Sequence, residues 1–178
     1  MPFKRSTTPL TEPELFDYAL RALTRRMRSE RDLRQLLLRR SDPADPATPA
    51  ALDRILARLR ELRYLSDERF AQDFTRLRQE GQSLGQRRVG QDLHARGIPK
   101  DLITQTLTRA YAETDELTLA QQFCQRKRIA PPTTPKETNR ILGRLLRAGF
   151  STNTAWRLLR SWNTPLDEEP SDPTDAPA

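Results

Sequence analysis

Apolar residues along this chain recur every three or four positions, which is the spacing of α-helices with one buried face. A clear instance is the series Leu52, Ile55, Leu56, Leu59 and Leu62. Alternating runs of β-branched residues do not occur, and the sequence holds only six glycines, so no sheet is indicated. The pattern therefore predicts an all-α fold.

Capping signals divide this pattern into nine helices. Thr11 and Glu14 have the spacing of a capping box at the first helix. Ser29 and Ser151 stand where the second and the last helix need a cap, and Thr48-Pro49 suits the cap and first turn of the third. Each of these positions is a prediction of where a helix begins.

Acidic residues mark further helix starts. Residues 66–68 carry two acids where a helix N-terminus favours negative charge. We expect Phe70, Phe74 and Leu77 to line the inner face of the helix that follows. Asp115-Glu116 is interpreted in the same way, as helix-start charge rather than as a catalytic pair of carboxylates.

A pattern of two inward apolar residues followed by a glycine and an apolar residue occurs twice, 52 residues apart. The two copies are Val89, Leu93, Gly97 and Ile98, then Ile141, Leu145, Gly149 and Phe150. A glycine in the left-handed conformation can end a helix and fold the next apolar residue over its last turn. Leu33 and Leu37 begin a third copy, but Ser41-Asp42 replaces its stop.

A period near 50 residues predicts an elongated, curved array of three tandem three-helix repeats, resembling helix-turn-helix units. We place the repeats at 13–65, 66–113 and 114–163, the first being divergent, with a long Pro-rich loop at 41–48. A disordered arm at 1–12 and a disordered acidic tail at 164–178 are expected to flank them.

Charge is unevenly distributed along the sequence. The segment 164–178 holds five acidic residues and no basic one, so residues 1–163 carry 31 basic against 19 acidic side chains, a formal charge of +12. A body this basic favours polyanions or acidic protein surfaces as partners.

Residues suited to catalysis are few. His94 is the only histidine, Cys124 lies on an apolar helix face and is expected in the core, and no Gly-Lys-Ser/Thr sequence follows a glycine-rich loop. We therefore predict no catalytic, cofactor or metal site and no enzyme activity. The apolar runs are too short for a signal peptide or a membrane span, so we expect a cytoplasmic protein without membrane contact.

Arginine is the main candidate for binding, because its planar guanidinium makes paired contacts with carboxylate or phosphate. The predicted basic surface consists of Arg25, Arg26, Arg28, Arg31, Arg34, Arg39, Arg40, Arg76, Arg78, Arg87, Arg88 and Arg96.

Three central segments resemble the signature of the RecX family of recombinase regulators. They are Tyr64-Leu65-Ser66-Asp67-Glu68-Arg69-Phe70-Ala71, Arg87-Arg88-Val89-Gly90-Gln91-Asp92-Leu93 and Arg96-Gly97-Ile98. The resemblance extends over about 13–163. It departs from the family's usual form at Ser66, where Asp is frequent, and at Asp92, where Glu is usual.

The resemblance implies a curved array of three-helix repeats that lodges in the helical groove of the RecA–single-stranded-DNA filament. Such a protein limits strand exchange, ATP hydrolysis and co-protease activity, and so acts in DNA recombination, DNA repair and the SOS response. RecA is the implied partner. Single-stranded DNA would be contacted weakly or through RecA, by a monomer without a compact active site.

Two other functions are compatible with the same residues. Three-helix units also occur in helix-turn-helix regulators that bind duplex DNA, and Arg87, Arg88 and Gln91 could then contact bases. A generic helical-repeat adaptor for another protein is the second alternative.

Overall fold

The computed structural model describes residues 8–162, and this part of the chain contains nine α-helices and no strand. The prediction of an all-α fold is confirmed. Segments 1–7 and 163–178, which hold most of the predicted arm and the whole predicted tail, lie outside the described residues. The helices are α1 (Glu12–Arg25), α2 (Glu30–Leu38), α3 (Thr48–Glu61), α4 (Asp67–Gln82), α5 (Gln86–Ala95), α6 (Lys100–Tyr111), α7 (Glu116–Arg126), α8 (Pro135–Arg147) and α9 (Thr152–Ser161).

The predicted caps of α2 and α9 are confirmed. The Ser29 hydroxyl accepts the Asp32 N–H at 3.1 Å, and the Ser151 hydroxyl accepts the Thr154 N–H at 3.1 Å. Each bond satisfies one of the amide groups that the first turn of a helix leaves without a carbonyl partner.

The start of α1 is also as predicted. The Glu14 carboxylate accepts the N–H and the hydroxyl of Thr11, both at 2.8 Å. Leu10 packs against the core, and its N–H donates to the Arg40 carbonyl at 2.8 Å. Leu10 and Thr11 therefore contact the folded part of the chain, although the segment 1–12 was expected to be a disordered arm.

The start of α3 differs from the prediction by one residue. Ala47 is the cap, and Thr48 is the first helical residue. The Thr48 hydroxyl donates to the Asp42 carbonyl at 2.7 Å, while Asp45 accepts the Ala47 N–H at 2.9 Å. The Thr48 side chain is therefore bonded within the Pro-rich loop and does not cap α3.

The chain divides into two compact units. The first comprises residues 8–75 and 91–108 of the described chain, and the second comprises 76–90 and 109–162. The core of the first unit is formed by Leu15, Ala19, Ala22, Leu33, Leu37, Leu52, Ile55, Leu56, Leu59 and Leu65. The larger side chains of this group fix how α1, α2 and α3 pack.

The core of the second unit brings together α7, α8 and α9. Its members are Leu119, Ala120, Phe123, Cys124, Ile141, Leu145, Ala148, Phe150, Ala155, Trp156, Leu158 and Leu159. Phe123 and Phe150 meet edge to face, with ring centroids 5.7 Å apart. Cys124 is 2% exposed, as expected for a core residue, and burial raises the pKa of its thiol to about 11.

Two apolar residues that were expected in the core are exposed. Leu62 is 50% exposed because it follows the last turn of α3, and the chain reverses at Arg63, whose φ is 58°. Leu77 is 52% exposed. In this part of α4 the inward residue is Gln79, whose amide donates to the Thr114 hydroxyl at 2.7 Å.

Both predicted glycine stops are confirmed. Gly97 and Gly149 have φ values of 79° and 94°, the left-handed region that glycine adopts without a Cβ penalty. In each case the next residue returns its N–H to the helix, in the pattern of a Schellman motif. The bonds are Ile98 N–H to Leu93 O and Phe150 N–H to Leu145 O, both at 3.2 Å.

Candidate basic interaction site

The first turn of α2 is the point where the signature segments of the first unit converge. Ser29 is fully buried, and its hydroxyl donates to the Arg96 carbonyl at 2.8 Å. Asp67 accepts the Glu30 N–H at 2.8 Å. The start of α2 is therefore bonded to the end of α5 and to the start of α4.

Arg96 lies at this joint, where neighbouring side chains hold it in place. Its guanidinium donates to Asp32 at 2.9 Å and lies 4.9 Å from the ring centre of Phe74 and 5.9 Å from that of Phe70. Its side chain is 36% exposed. Charge pairing and aromatic contact together give Arg96 a structural role beside any contact with a partner.

Arg31 lies over Gly97. A Cβ added at Gly97 would come within 2.4 Å of Arg31 Cδ and 2.8 Å of Arg31 Cβ. The aliphatic stem of Arg31 thus fills the space that glycine leaves, while the residue as a whole is exposed. This arrangement leaves the guanidinium at the surface next to the joint.

Arg26 and Arg28 precede α2 in the chain and extend the basic group. Burial lowers the pKa of Arg28, and the charge of Arg26 lowers it further, whereas Asp32 and Tyr18 oppose the shift. Among the described residues, Arg28 Nε is buried without a hydrogen-bond partner. Arg26 and Arg28 are therefore close neighbours, with the Asp32 carboxylate near the latter.

Two carboxylates at the joint, those of Asp67 and Glu30, have defined partners. Burial raises the pKa of Asp67, although the hydrogen bond from the Glu30 N–H lowers it, and the charges of Glu30 and Asp32 add to the rise. Arg60 forms an ion pair with Glu30 at 3.5 Å. Sequence reasoning did not single out Ser29 or Asp67 as parts of this joint, although Asp67 lies within the signature.

We name Arg26, Arg28, Arg31 and Arg96 the α2 arginine cluster. The structure brings these four predicted residues together in the first unit. Arg34 instead forms an ion pair with Asp53, and Arg40 lies 5.2 Å above the Tyr18 ring. Two further predicted residues, Arg25 and Arg39, are exposed at the ends of α1 and α2.

The remaining four predicted arginines belong to the second unit. Arg76 lies 3.6 Å from Glu80, and Arg78 donates to the Gln82 amide oxygen at 2.7 Å. Arg87 lies close enough to Glu116 to lower the pKa of that carboxyl group. Arg88 packs at the Gly149 stop, described next.

The second unit contains a joint made by the main chain. The Gly85 N–H donates to the Ala148 carbonyl at 2.9 Å. A Cβ at Gly149 would lie 2.3 Å from Arg88 N and 2.8 Å from Gly85 O. The end of α8 thus abuts the start of α5, as the end of α5 abuts the start of α2 in the first unit.

Within residues 8–162, no helix is both long and apolar enough to cross a bilayer. The same residues contain no group of three or more His, Cys, Asp or Glu side chains that could hold a metal ion.

Comparison with known proteins gives one consistent family. A family model described as the second three-helix domain of RecX matches residues 66–107. A regulatory protein RecX from Mycobacterium avium is 30% identical over 152 residues, covering 84% of this chain and 85% of the relative. The regulatory protein RecX of Thermobifida fusca is 30% identical over 143 residues, covering 79% and 74%.

Solved structures share the fold. The crystal structure of RecX from Lactobacillus salivarius gives a TM-score of 0.64 at 17% identity, covering 85% of this chain and 96% of that one. A crystal structure of a regulatory protein RecX gives 0.68 at 20% identity, covering 84% and 71%. The resemblance found in the sequence is confirmed, and the chain belongs to the RecX family of regulatory proteins.

Proposed function

We propose that this protein binds the RecA–single-stranded-DNA filament in its helical groove and modulates, mainly by inhibition, its recombinase, ATPase and co-protease activities. The observation that carries the proposal is the α2 arginine cluster, which lies where the start of α2 contacts the signature residues Asp67, Arg96 and Gly97. The protein acts as a cytoplasmic monomer, without an enzyme activity of its own and without a cofactor.

The physical basis of the proposal is electrostatic and geometric. A nucleoprotein filament presents phosphates and acidic side chains, and guanidinium groups bind both through paired hydrogen bonds. Packing holds Arg28 and Arg96 in place, so binding orders fewer flexible side chains than it would on a loop. A protein that contacts more than one protomer favours the filament state to which it binds better.

The test is the ATPase activity of RecA on single-stranded DNA, titrated with this protein. Wild-type protein is expected to lower the activity. A variant carrying Arg26→Gln and Arg31→Gln, at the two exposed members of the cluster, together with Arg25→Gln at the exposed residue before them, is expected to inhibit at least tenfold less well. Each lost charge-assisted contact weakens binding by about 1 kcal/mol or more. Arg34 is left unchanged because it forms an ion pair with Asp53.

A matched control removes the same charge elsewhere. Arg54 is paired with Glu12, Arg58 lies 4.6 Å from the ring centre of Phe16, and Arg109 is exposed on α6. The variant carrying Arg54→Gln, Arg58→Gln and Arg109→Gln is named the control triple. It is expected to inhibit like wild type. Equal inhibition by all three proteins would contradict the role of the cluster, and an inert wild-type protein would contradict the proposed function.

A further inference from the structure

Helix α8 carries a row of cations that the predicted basic surface did not include. Lys136, Arg140, Arg144 and Arg147 follow one another at intervals of four, four and three residues. At the α-helical repeat they fall within an arc of about 80°, which excludes the buried residues of the helix. Arg144 is half-buried, and the other three are exposed. Their backbone positions span about 16 Å along the helix axis.

Within residues 8–162, neighbouring acids do not neutralise the row. Among the described residues, none of the four cations has a carboxylate oxygen within 4.0 Å. The acid next to the row is Glu137, which accepts the N–H and the hydroxyl of Thr133 at 2.8 and 2.9 Å. Those hydrogen bonds lower the pKa of Glu137, and the charge of Arg140 adds to the effect. Like charges four residues apart destabilise a helix, so folding alone does not favour this row.

Gly143 lies in the middle of the row. Its φ is not in the left-handed region, and the only contact of an added Cβ would be the flexible end of Arg147, 3.4 Å away at Nη1. Neither the turn chemistry nor the packing of α8 therefore requires glycine there. A glycine inside a helix costs stability, but it lets a ligand approach the backbone closely.

The corresponding helix, α5, lacks this row. Counting back by the 52-residue period, Arg140 and Arg144 correspond to Arg88 and Asp92 of α5. A pair of opposite charges at this spacing supports a helix, whereas the α8 pair opposes it. The row is thus a property of α8 and not of the repeat.

We propose that Lys136, Arg140, Arg144 and Arg147 bind successive phosphates of single-stranded DNA, with Gly143 giving the backbone of the strand room to approach α8. The choice of DNA rests on the proposed function, whose filament contains such a strand. A single file of cations suits one sugar–phosphate backbone. A helix in a duplex groove would instead need base-reading side chains along its centre and phosphate contacts at both sides.

The experiment measures binding of the full-length protein to a short oligothymidylate by fluorescence anisotropy at several salt concentrations, without RecA. A variant with Arg140→Gln, Arg144→Gln and Arg147→Gln is expected to bind about tenfold more weakly or worse at low salt. The slope of log K against log salt should shrink by about 2, since each contact with a single strand contributes about 0.7. The variant with Lys at the same three positions should retain most of the affinity.

The control triple carries the same change in net charge and is expected to bind like wild type. Equal loss in the α8 variant and the control triple, or no loss in the α8 variant, would overturn the proposal. Stronger binding of a duplex of the same sequence length, weakened in the same variant, would overturn the choice of a single strand. Circular dichroism confirms that each variant is folded.

The RecA ATPase titration, run on the same proteins, separates the two proposals. An inert wild-type protein in that assay defeats the proposed function and leaves oligothymidylate binding as measured. Loss of oligothymidylate binding in the α8 variant with unchanged ATPase inhibition supports a DNA contact that is distinct from the α2 arginine cluster.

Discussion

Arg31 lies across the Cα of Gly97, at the point where a Cβ would come within 2.4 Å of Arg31 Cδ. Gly97 also has a φ of 79°, which ends α5. Two separate requirements therefore fall on one glycine, a left-handed backbone and an absent side chain. The first follows from the Gly–apolar stop and was evident from the sequence, whereas the second comes from the packing of Arg31 and was not.

Gly97→Ala is expected to destabilise the protein by about 2–3 kcal/mol, since alanine is strained at this φ and its methyl group meets the Arg31 stem. The measurement is urea unfolding followed by circular dichroism. Gly81→Ala is the control, because nothing lies within 4 Å of its Cβ position and it is helical. That change should stabilise by about 0.5–1 kcal/mol. Equal effects at the two glycines would contradict the packing at Gly97.

Gly149→Ala should cost more than Gly97→Ala. The methyl group would meet Arg88 N at 2.3 Å and Gly85 O at 2.8 Å, and main-chain atoms cannot turn aside as the Arg31 side chain can. We expect a loss of about 3–4 kcal/mol, or failure to fold. The two variants are compared by thermal unfolding at one protein concentration, and a smaller loss at Gly149 would refute the main-chain joint.

Ser29→Ala removes a buried hydroxyl that donates to the Arg96 carbonyl and accepts the Asp32 N–H. Both partners would then lack a hydrogen bond, so a destabilisation of about 2–3 kcal/mol is expected. Thr24→Ala is the control, since its hydroxyl bonds the Arg21 carbonyl at 3.0 Å in an exposed position. Its effect should stay below about 0.5 kcal/mol. Similar unfolding midpoints for both variants would argue against the joint.

Glu116 makes stability depend on acid pH. Burial raises the pKa of this carboxyl group, but hydrogen bonds from Thr154 and Ser151 and the charge of Arg87 outweigh it, so the pKa is lowered. Because the folded pKa lies below the unfolded one, the stabilisation is present above about pH 4.3 and is lost as pH falls through the folded value.

Glu116→Gln should therefore cost about 1–2 kcal/mol at pH 7, allowing for solvent screening of a partly exposed group, and much less at pH 3. The check is urea unfolding at both pH values, with the exposed Glu113→Gln as control. A cost that is the same at both pH values would show that the carboxylate charge has no part in stability.

The local features of this fold could be predicted from the sequence, because each depends on few neighbouring residues. Ser29 and Ser151 cap as expected, and Gly97 and Gly149 stop their helices as expected. Cys124 is in the core, as its helix face indicated. Helical period and capping chemistry are properties of a short stretch of chain.

The misplaced residues depend on tertiary packing. Leu77 continues the helical period of Phe70 and Phe74, yet Gln79 is the inward residue there because Ala110 and Thr114 supply partners for its amide. The buried Trp156 was not singled out, although it adjoins predicted core residues of α9. The burial of Gln79 and Trp156 depends on residues of other helices, so the spacing of residues within α4 or α9 does not predict it.

The candidate site shows the same division. Arginine-rich composition indicated a basic surface, but sequence cannot tell Arg34, paired with Asp53, from Arg31, whose stem packs on Gly97. The row on α8 is visible in the sequence as four basic residues at helical spacing. The predicted basic surface did not include it because that prediction followed the local density of arginine, which is highest over 21–40.

The bond between the Gly85 N–H and the Ala148 carbonyl uses no side-chain atom. Mutations that alter charge or polarity around this hydrogen bond therefore leave it in place, provided that Gly85 and Gly149 are kept. Exposed residues of α5 and α8 can consequently be replaced during evolution, giving new binding preferences, without loss of the main-chain contact between the two helices.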